Sequence, residues 1–347
     1  MKKLVVLGGG FAGSLIAKKL EKKFSLTLID SKDYFEFTPG ILRAIANPVH
    51  LKTIHVRYAD YLKNSGIITA EIIKVMKACI LLKGRKIGFD YLCICLGSSY
   101  AKPIKEQNMV LAIRASHLAE SHKLLKAAKK ILVIGGGLVG VELAAEICTH
   151  YKNKEITLIH SKPRLIERTF PKASGYAEEF LKKNNVKIML NTPAIISRHK
   201  QPAPQYELAF LCTGIKPNSE PLKPSFQEAI DDKGFIRVNA FLQVKGCKNI
   251  FAAGDIAAVN IEKTAQNAKA QAALVVANIL ALENRQSLKT YNPRPTPIII
   301  SLGKFNGIFV WKSFAFSGLI PAVIKFIIEK KEMLGLKNPF RKHLYKQ

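Results

Sequence analysis

No stretch of this 347-residue chain approaches the roughly 20 uninterrupted apolar residues that a membrane-spanning helix needs. The longest apolar segment, Phe314 to Ile328, is broken by Gly318, Pro321 and Lys325, so a span is not expected while a helix lying on a surface is compatible with it. A secretory leader is not expected either. MKKLVVLGG has a charged start, but its apolar run is only about five residues and three glycines follow without a small-residue cleavage site. Cysteine is scarce: six residues, at positions 79, 93, 95, 148, 212 and 247, fall within apolar strand or helix patterns and form no metal-ligand spacing. No metal site is expected, and a reduced, intracellular protein is. Acids are scarce too, 25 against 54 Lys and Arg, for a formal net charge of +29 that favours an anionic partner. The lysines are dispersed without a block of five, so this charge does not point to specific nucleic-acid binding.

Glycine, by contrast, is placed with a pattern. Lys3 to Leu7 reads as a short apolar strand, followed by GGGFAG, a helical run SLIAKKLEKKF, and a second strand LTLID ending in Asp30. This is the dinucleotide fingerprint in its required setting. Gly8 makes the tight turn, Gly10 lets a pyrophosphate approach, Gly13 lets the helix pack on the strand, and Asp30 accepts hydrogen bonds from a ribose. The device recurs in ILVIGGGLVGVELAAEI, with Gly135, Gly137 and Gly140, followed by the strand EITLIH. Two bound dinucleotides follow. The second copy ends in His160, then Ser161, Lys162 and Arg164, where a carboxylate would bond the 2′-hydroxyl of NADH. A hydroxyl and cations can instead receive a 2′-phosphate, which predicts that NADPH is accepted; the alternative is that these residues are merely solvated and NADH is the donor. YLCICLGSS and LAFLCTGIKPN read as buried strands ending in glycine turns at Gly97 and Gly214, and NIFAAGDIA delivers Gly254 and Asp255 to a helical run.

Together these segments resemble the two-dinucleotide flavoproteins of the pyridine nucleotide-disulfide oxidoreductase class. The resemblance implies that Gly8, Gly10, Gly13, Asp30, Gly97, Gly254 and Asp255 hold FAD. It implies that Gly135, Gly137, Gly140, His160 and Gly214 face NADPH or NADH. The disulfide reductases of that class carry a CxxxxC pair where this chain reads DYFEFTPGILRAIANP, without a cysteine, so no dithiol relay is expected. The DYFEFTP, GVELAAEI, TLIHS and SLGKFNG segments resemble type II NADH dehydrogenases and the apoptosis-inducing-factor-like group that includes the ferroptosis suppressor proteins. That likeness implies a quinone as electron acceptor, Glu142 near the nicotinamide and flavin rings, and Gln266 of TAQNAKAQAALVVANIL facing the flavin or the quinone. It also implies that a lysine near the end, Lys330 or Lys331, reaches the flavin region.

The fold class expected is α/β: two Rossmann-like dinucleotide-binding domains plus a small α+β C-terminal domain. The boundaries expected are 1–112 and 229–290 for the FAD domain, 113–228 for the NAD(P)H domain and 291–347 for the C-terminal part. In that last part Leu319, Ile320, Val323, Ile324, Ile327 and Ile328 form a helical apolar stripe among lysines, suited to a membrane interface. The competing reading docks this stripe on the flavin domain or on a second subunit of a homodimer. The function expected is a cytoplasmic, peripherally membrane-associated NAD(P)H:quinone oxidoreductase. Its rivals are a ferredoxin or rubredoxin reductase, and a flavoprotein that senses NAD(P)H without turnover.

Overall fold

The computed structural model describes residues 1–99, 109–111, 118–193 and 205–337. The chain opens with β1 (Lys3–Leu7), whose apolar residues are buried after the first position, then α1 (Phe11–Leu20) and β2 (Ser25–Asp30). Helix α2 (Ile41–Ala46), β3 (Ser65–Thr69) and β4 (Tyr91–Ile94) follow. The chain then leaves for a second sheet: β5 (Met109–Leu111), β6 (Lys130–Ile134), α3 (Leu138–His150), β7 (Glu155–Ile159), α4 (Pro171–Lys183), β8 (Val186–Met189) and β9 (Leu208–Leu211). It returns to the first sheet with β10 (Ile250–Ala252) and α5 (Ala265–Glu283).

Both sheets have five strands, all parallel, in the orders β10-β4-β1-β2-β3 and β5-β9-β6-β7-β8. The two copies match in register: Lys3 to Leu7 lies against Ser25 to Ile29, and Lys130 to Ile134 against Glu155 to Ile159. Strands buried on both faces read as continuous Val, Ile and Leu runs, which is why each fingerprint announces its strand so clearly. Both glycine turns lie at the carboxyl ends of the strands, where open α/β sheets bind their ligands.

A short antiparallel pair, Ser98–Ser99 against Lys216–Pro217, ties the two halves together. Asn218 reinforces it, donating from its backbone N–H to Gly97 O and from Nδ2 to Leu96 O. The C-terminal part is an antiparallel sheet of β11 (Ile298–Ser301), β12 (Gly307–Trp311) and β13 (Phe314–Gly318), followed by α6 (Leu319–Lys337). Lys269 on α5 pairs with Glu332 on α6 at 2.6 Å, and Lys18 on α1 donates to Gly335 O, so α6 is fastened to the first nucleotide domain. Among the described residues no helix is long and apolar enough to cross a membrane.

Candidate functional site

The two fingerprints fold to the same stereochemistry. Gly8 and Gly135 adopt φ of +87° and +107°, and a Cβ there would lie 2.3 Å from Cys95 O and 2.7 Å from Cys212 O. The turn therefore presses directly on the end of the neighbouring strand, and no side chain fits. At Gly13 and Gly140 a Cβ would fall 1.8 Å from the carbonyl oxygen of the first glycine, so helix and turn touch backbone to backbone. Gly10 and Gly137 are different: nothing lies within 4 Å of where a Cβ would stand. Each is also the N-cap of its helix, α1 or α3, with no side-chain cap hydrogen bond. A cradle that a Cβ would fill, at the uncapped positive end of a helix, fits a pyrophosphate, so the residues present suit FAD in the first site and a pyridine nucleotide in the second. Gly97 and Gly214 likewise form open turns with φ of +64° and +66°.

The residues at the two strand ends also correspond. Asp30 Oδ2 accepts from Gly9 N–H at 2.5 Å and from Tyr58 Oη at 3.0 Å. Burial, helped by the charge of Asp30, pushes the Tyr58 phenol far up, so it stays a donor. Asp30 Oδ1 accepts from Lys32 N–H at 3.0 Å and from Ser31 Oγ at 3.4 Å, so a ribose hydroxyl would take the place of the long Ser31 contact. His160 takes the same place in the second copy: its Nδ1 accepts from Gly136 N–H at 3.1 Å, while Nε2 lies 3.1 Å from Glu167 Oε2. The expected phosphate receiver Arg164 donates through Nη2 to the carbonyl oxygens of Glu167 and Thr169. Ser161 and Lys162 are exposed.

Asp255 accepts from Ser98 Oγ at 2.8 Å, which links it to the Gly97 turn. Gly254 N–H donates to Gln271 Oε1 at 2.7 Å. Gln266 stands exposed on the first turn of α5, whereas Gln271, five residues on, is the buried glutamine that touches the GD turn.

A third cluster sits where both nucleotide domains meet the C-terminal part. Glu142, on the first turn and a half of α3, accepts through Oε1 from Ser301 N–H at 2.6 Å and from Lys325 Nζ at 2.5 Å. One turn later on the same face, Glu146 receives Arg43 of α2 through both Nε and Nη2 at 3.1 Å, and Ser301 Oγ at 3.2 Å. Pro39, Gly40, Glu142, Ser301, Lys325 and Phe326 line a small cavity here of about 10 Å³, room for no more than a water. From α6 it is Lys325 that reaches Glu142, and Lys330, one of the two lysines the resemblance singled out, lies over the Phe326 ring. Breaking a buried pair from one side costs roughly 3–5 kcal/mol. Arg43→Met should therefore lower stability to urea by about that much, and Glu146→Gln in the same protein should recover part of it.

Sequence reasoning missed Arg43, Glu146, Ser301 and Lys325. Three of them carried a signal: a single charge inside an apolar run, as in GILRAIA, LAAEI and AVIKFII. Charges are almost never buried without partners, so each of these had to meet another.

None of the cysteines suits thiol chemistry. All six are free, five of them buried, and burial pushes the Cys95, Cys148 and Cys212 thiols up to about 12. Helix α6 meets the protein through Pro321, Glu329, Met333 and Leu336. Most of the apolar stripe points the other way, with Leu319 57%, Ile320 64%, Val323 45% and Ile327 55% exposed, joined by Phe326. The stripe is therefore not what docks α6 on the flavin domain. Trp311 and Phe314, at the tip of the hairpin that precedes α6, are exposed as well.

Residues 2–272 match the family Pyridine nucleotide-disulphide oxidoreductase. Among curated proteins the chain is similar to "Apoptosis-inducing factor homolog A" of Dictyostelium discoideum, 31% identical over 93% of this chain and 88% of that protein. It is also similar to "Ferroptosis suppressor protein 1" of Homo sapiens, 30% identical over 88% of this chain and 87% of that one. Among solved structures it resembles the sulfide:quinone oxidoreductase of Aquifex aeolicus, with a TM-score of 0.84 at 21% identity over 97% of this chain and 92% of that one. NDH2 from Plasmodium falciparum, solved in complex with NADH, superposes with a TM-score of 0.82 at 14% identity over 97% of both chains. These two structural likenesses carry the fold.

Proposed function

The chain belongs to the pyridine nucleotide-disulphide oxidoreductase family, and from that premise we propose that it is an FAD-dependent NAD(P)H:quinone oxidoreductase working at a membrane surface. The observation that carries this reading is the two-sided helix α6. Its inner face sends Lys325 to Glu142, while its outer face offers Ile320, Val323 and Ile327 to the surroundings. A helix that holds a site residue on one face and offers an apolar face on the other suits an acceptor that is dissolved in lipid.

FAD, when bound, accepts the donor's hydride and passes two electrons to the acceptor. The chain's own residues bind and orient. Gly8, Gly10, Gly13, Asp30, Gly97, Gly254 and Asp255 hold the flavin nucleotide, and Gly135, Gly137, Gly140, His160 and Gly214 the hydride donor. Glu142, held by Lys325 and Ser301, fixes the facing of the two ring systems, and Gln266 directs the acceptor. The absence of any relay cysteine in the segment 33–48, and the high thiol pKa values elsewhere, leave direct transfer as the only route among the described residues.

The test is anaerobic stopped-flow. Bound flavin, reduced with NADH or NADPH and mixed with a short-chain ubiquinone, should reoxidise within a catalytic timescale, followed at about 450 nm. Flavin that stays reduced would sink the quinone reading and favour a small acidic electron-transfer protein steered by the basic surface. A second measurement addresses the membrane. Ile320→Glu with Ile327→Glu removes two apolar insertions of about 1.5–3 kcal/mol each, so affinity for anionic liposomes should fall on the order of a hundredfold or more. Turnover of a water-soluble quinone should persist in that variant. Unchanged liposome sedimentation would place the exposed face against something other than lipid.

A further inference from the structure

The pyridine-nucleotide site lacks an acid at the end of β7, yet the turn that follows brings one to the same place. Glu167 Oε2 lies 3.1 Å from His160 Nε2, and the opposite ring nitrogen of His160 accepts from Gly136 N–H. Because Nδ1 is an acceptor there, a neutral ring carries its proton on Nε2 and donates it to Glu167, which remains an acceptor and a carboxylate. Burial works against that charge, but hydrogen bonds from its own backbone N–H and from His160 outweigh it and hold the Glu167 carboxyl below the usual range.

Its placement is built rather than incidental. Ile166 donates from its backbone N–H to Gly136 O at 2.8 Å, which fastens the turn to the glycine loop itself. Ile166 does so with φ of +43°, a left-handed conformation that a β-branched residue adopts only when its surroundings impose it. Leu165, one residue earlier, packs on Gly136 so closely that a Cβ there would lie 2.5 Å from its Cδ2. Arg164 Nη2 ties down the carbonyl oxygens of Glu167 and Thr169. Three consecutive residues before Glu167 are thus spent on holding it, and its side chain remains about one-third exposed beside the strand end where a ribose lies.

We propose that Glu167 reads the adenosine ribose of the hydride donor, accepting a hydrogen bond from its 2′-hydroxyl and repelling a 2′-phosphate, so that NADH is taken in preference to NADPH. The inference rests on residues 135–140 being the pyridine-nucleotide turn. It reverses what Ser161, Lys162 and Arg164 suggest by type alone. Arg164 gives Nη2 to carbonyl oxygens and keeps Nη1 buried without a hydrogen-bond partner among the described residues, out of reach of solvent, and the nearby Arg168, whose charge helps to lower Glu167, stands 3.8 Å from Glu262 at the surface.

The test uses the FAD-loaded enzyme and titration calorimetry with NAD⁺ and NADP⁺, paired with single-turnover flavin reduction by NADH and NADPH. The native chain should bind the non-phosphorylated nucleotide at least about tenfold more tightly, as expected for removing one close like-charge pair. Glu167→Gln should bring the two affinities to within about threefold with the flavin content unchanged. Ile166→Gly, which removes the strain and frees the turn, should give an intermediate ratio. Equal or tighter binding of NADP⁺ to the native chain, or a ratio that Glu167→Gln leaves in place, would overturn the inference. If neither nucleotide binds nor reduces the flavin, the assignment of the second turn fails, and this inference with it.

Discussion

Replacing Gly10 by valine is expected to give a folded protein that has lost its flavin. The position is open to a side chain as far as the protein is concerned, since no heavy atom lies within 4 Å of a Cβ there. The space a valine would occupy is that of the pyrophosphate, at the uncapped start of α1. Gly13→Val, three residues on, should behave in the opposite way: its Cβ would lie 1.8 Å from Gly8 O, and backbone cannot yield as a side-chain tip does. That variant should be destabilised beyond recovery or recovered only as aggregate. The ratio of flavin absorbance to protein absorbance, with a thermal melt, separates the two outcomes. A Gly10→Val protein that retains full flavin would remove the first turn as the FAD site.

Glu142→Gln is expected to slow reduction of bound flavin by about two orders of magnitude, the usual cost of displacing reacting groups by about 1 Å. The flavin should remain bound, because Glu142 stands on α3 in the second nucleotide domain, away from the Gly8 turn. The amide keeps the hydrogen bond from Ser301 N–H but loses the charge that holds Lys325. Lys325→Met breaks the same pair from the other side. If the two residues act as one positioning unit, the double variant should be hardly slower than either single one. Fully additive losses would show that Lys325 and Glu142 serve separate ends.

Most of the fold was legible because each nucleotide domain repeats one local rule. A buried parallel strand, three glycines at fixed spacing and an apolar helix are all written within about 30 residues. Gly8, Gly10 and Gly13 needed no tertiary knowledge, and the matched registers of β1 with β2 and β6 with β7 follow from them. The junction cluster was harder to see. Arg43, Glu146 and Ser301 come from three distant parts of the chain, and nothing local says which buried charge meets which. His160 shows a subtler limit: residue type says nothing of orientation, and its two ring nitrogens lie against Gly136 and Glu167. In α6 the apolar stripe was plain, yet the sequence could not say which face the protein would claim. Glu329 and Lys325 decided it, since a helix can bury charged groups only where partners wait for them.

The register of α6 has a consequence for how such a chain can change length. Lys325 is two residues from Val323 and Ile327, on the opposite side of one continuous helix. Each residue advances the helix by about 100°, so inserting one residue between Ile320 and Lys325 swings everything beyond it by that angle. The lysine would leave Glu142 while Ile320 kept its outward aspect. An insertion of this kind should yield a protein that still settles on lipid through its first turn yet transfers electrons poorly. Indels of three or four residues, which nearly restore the phase, should be far better tolerated than single ones.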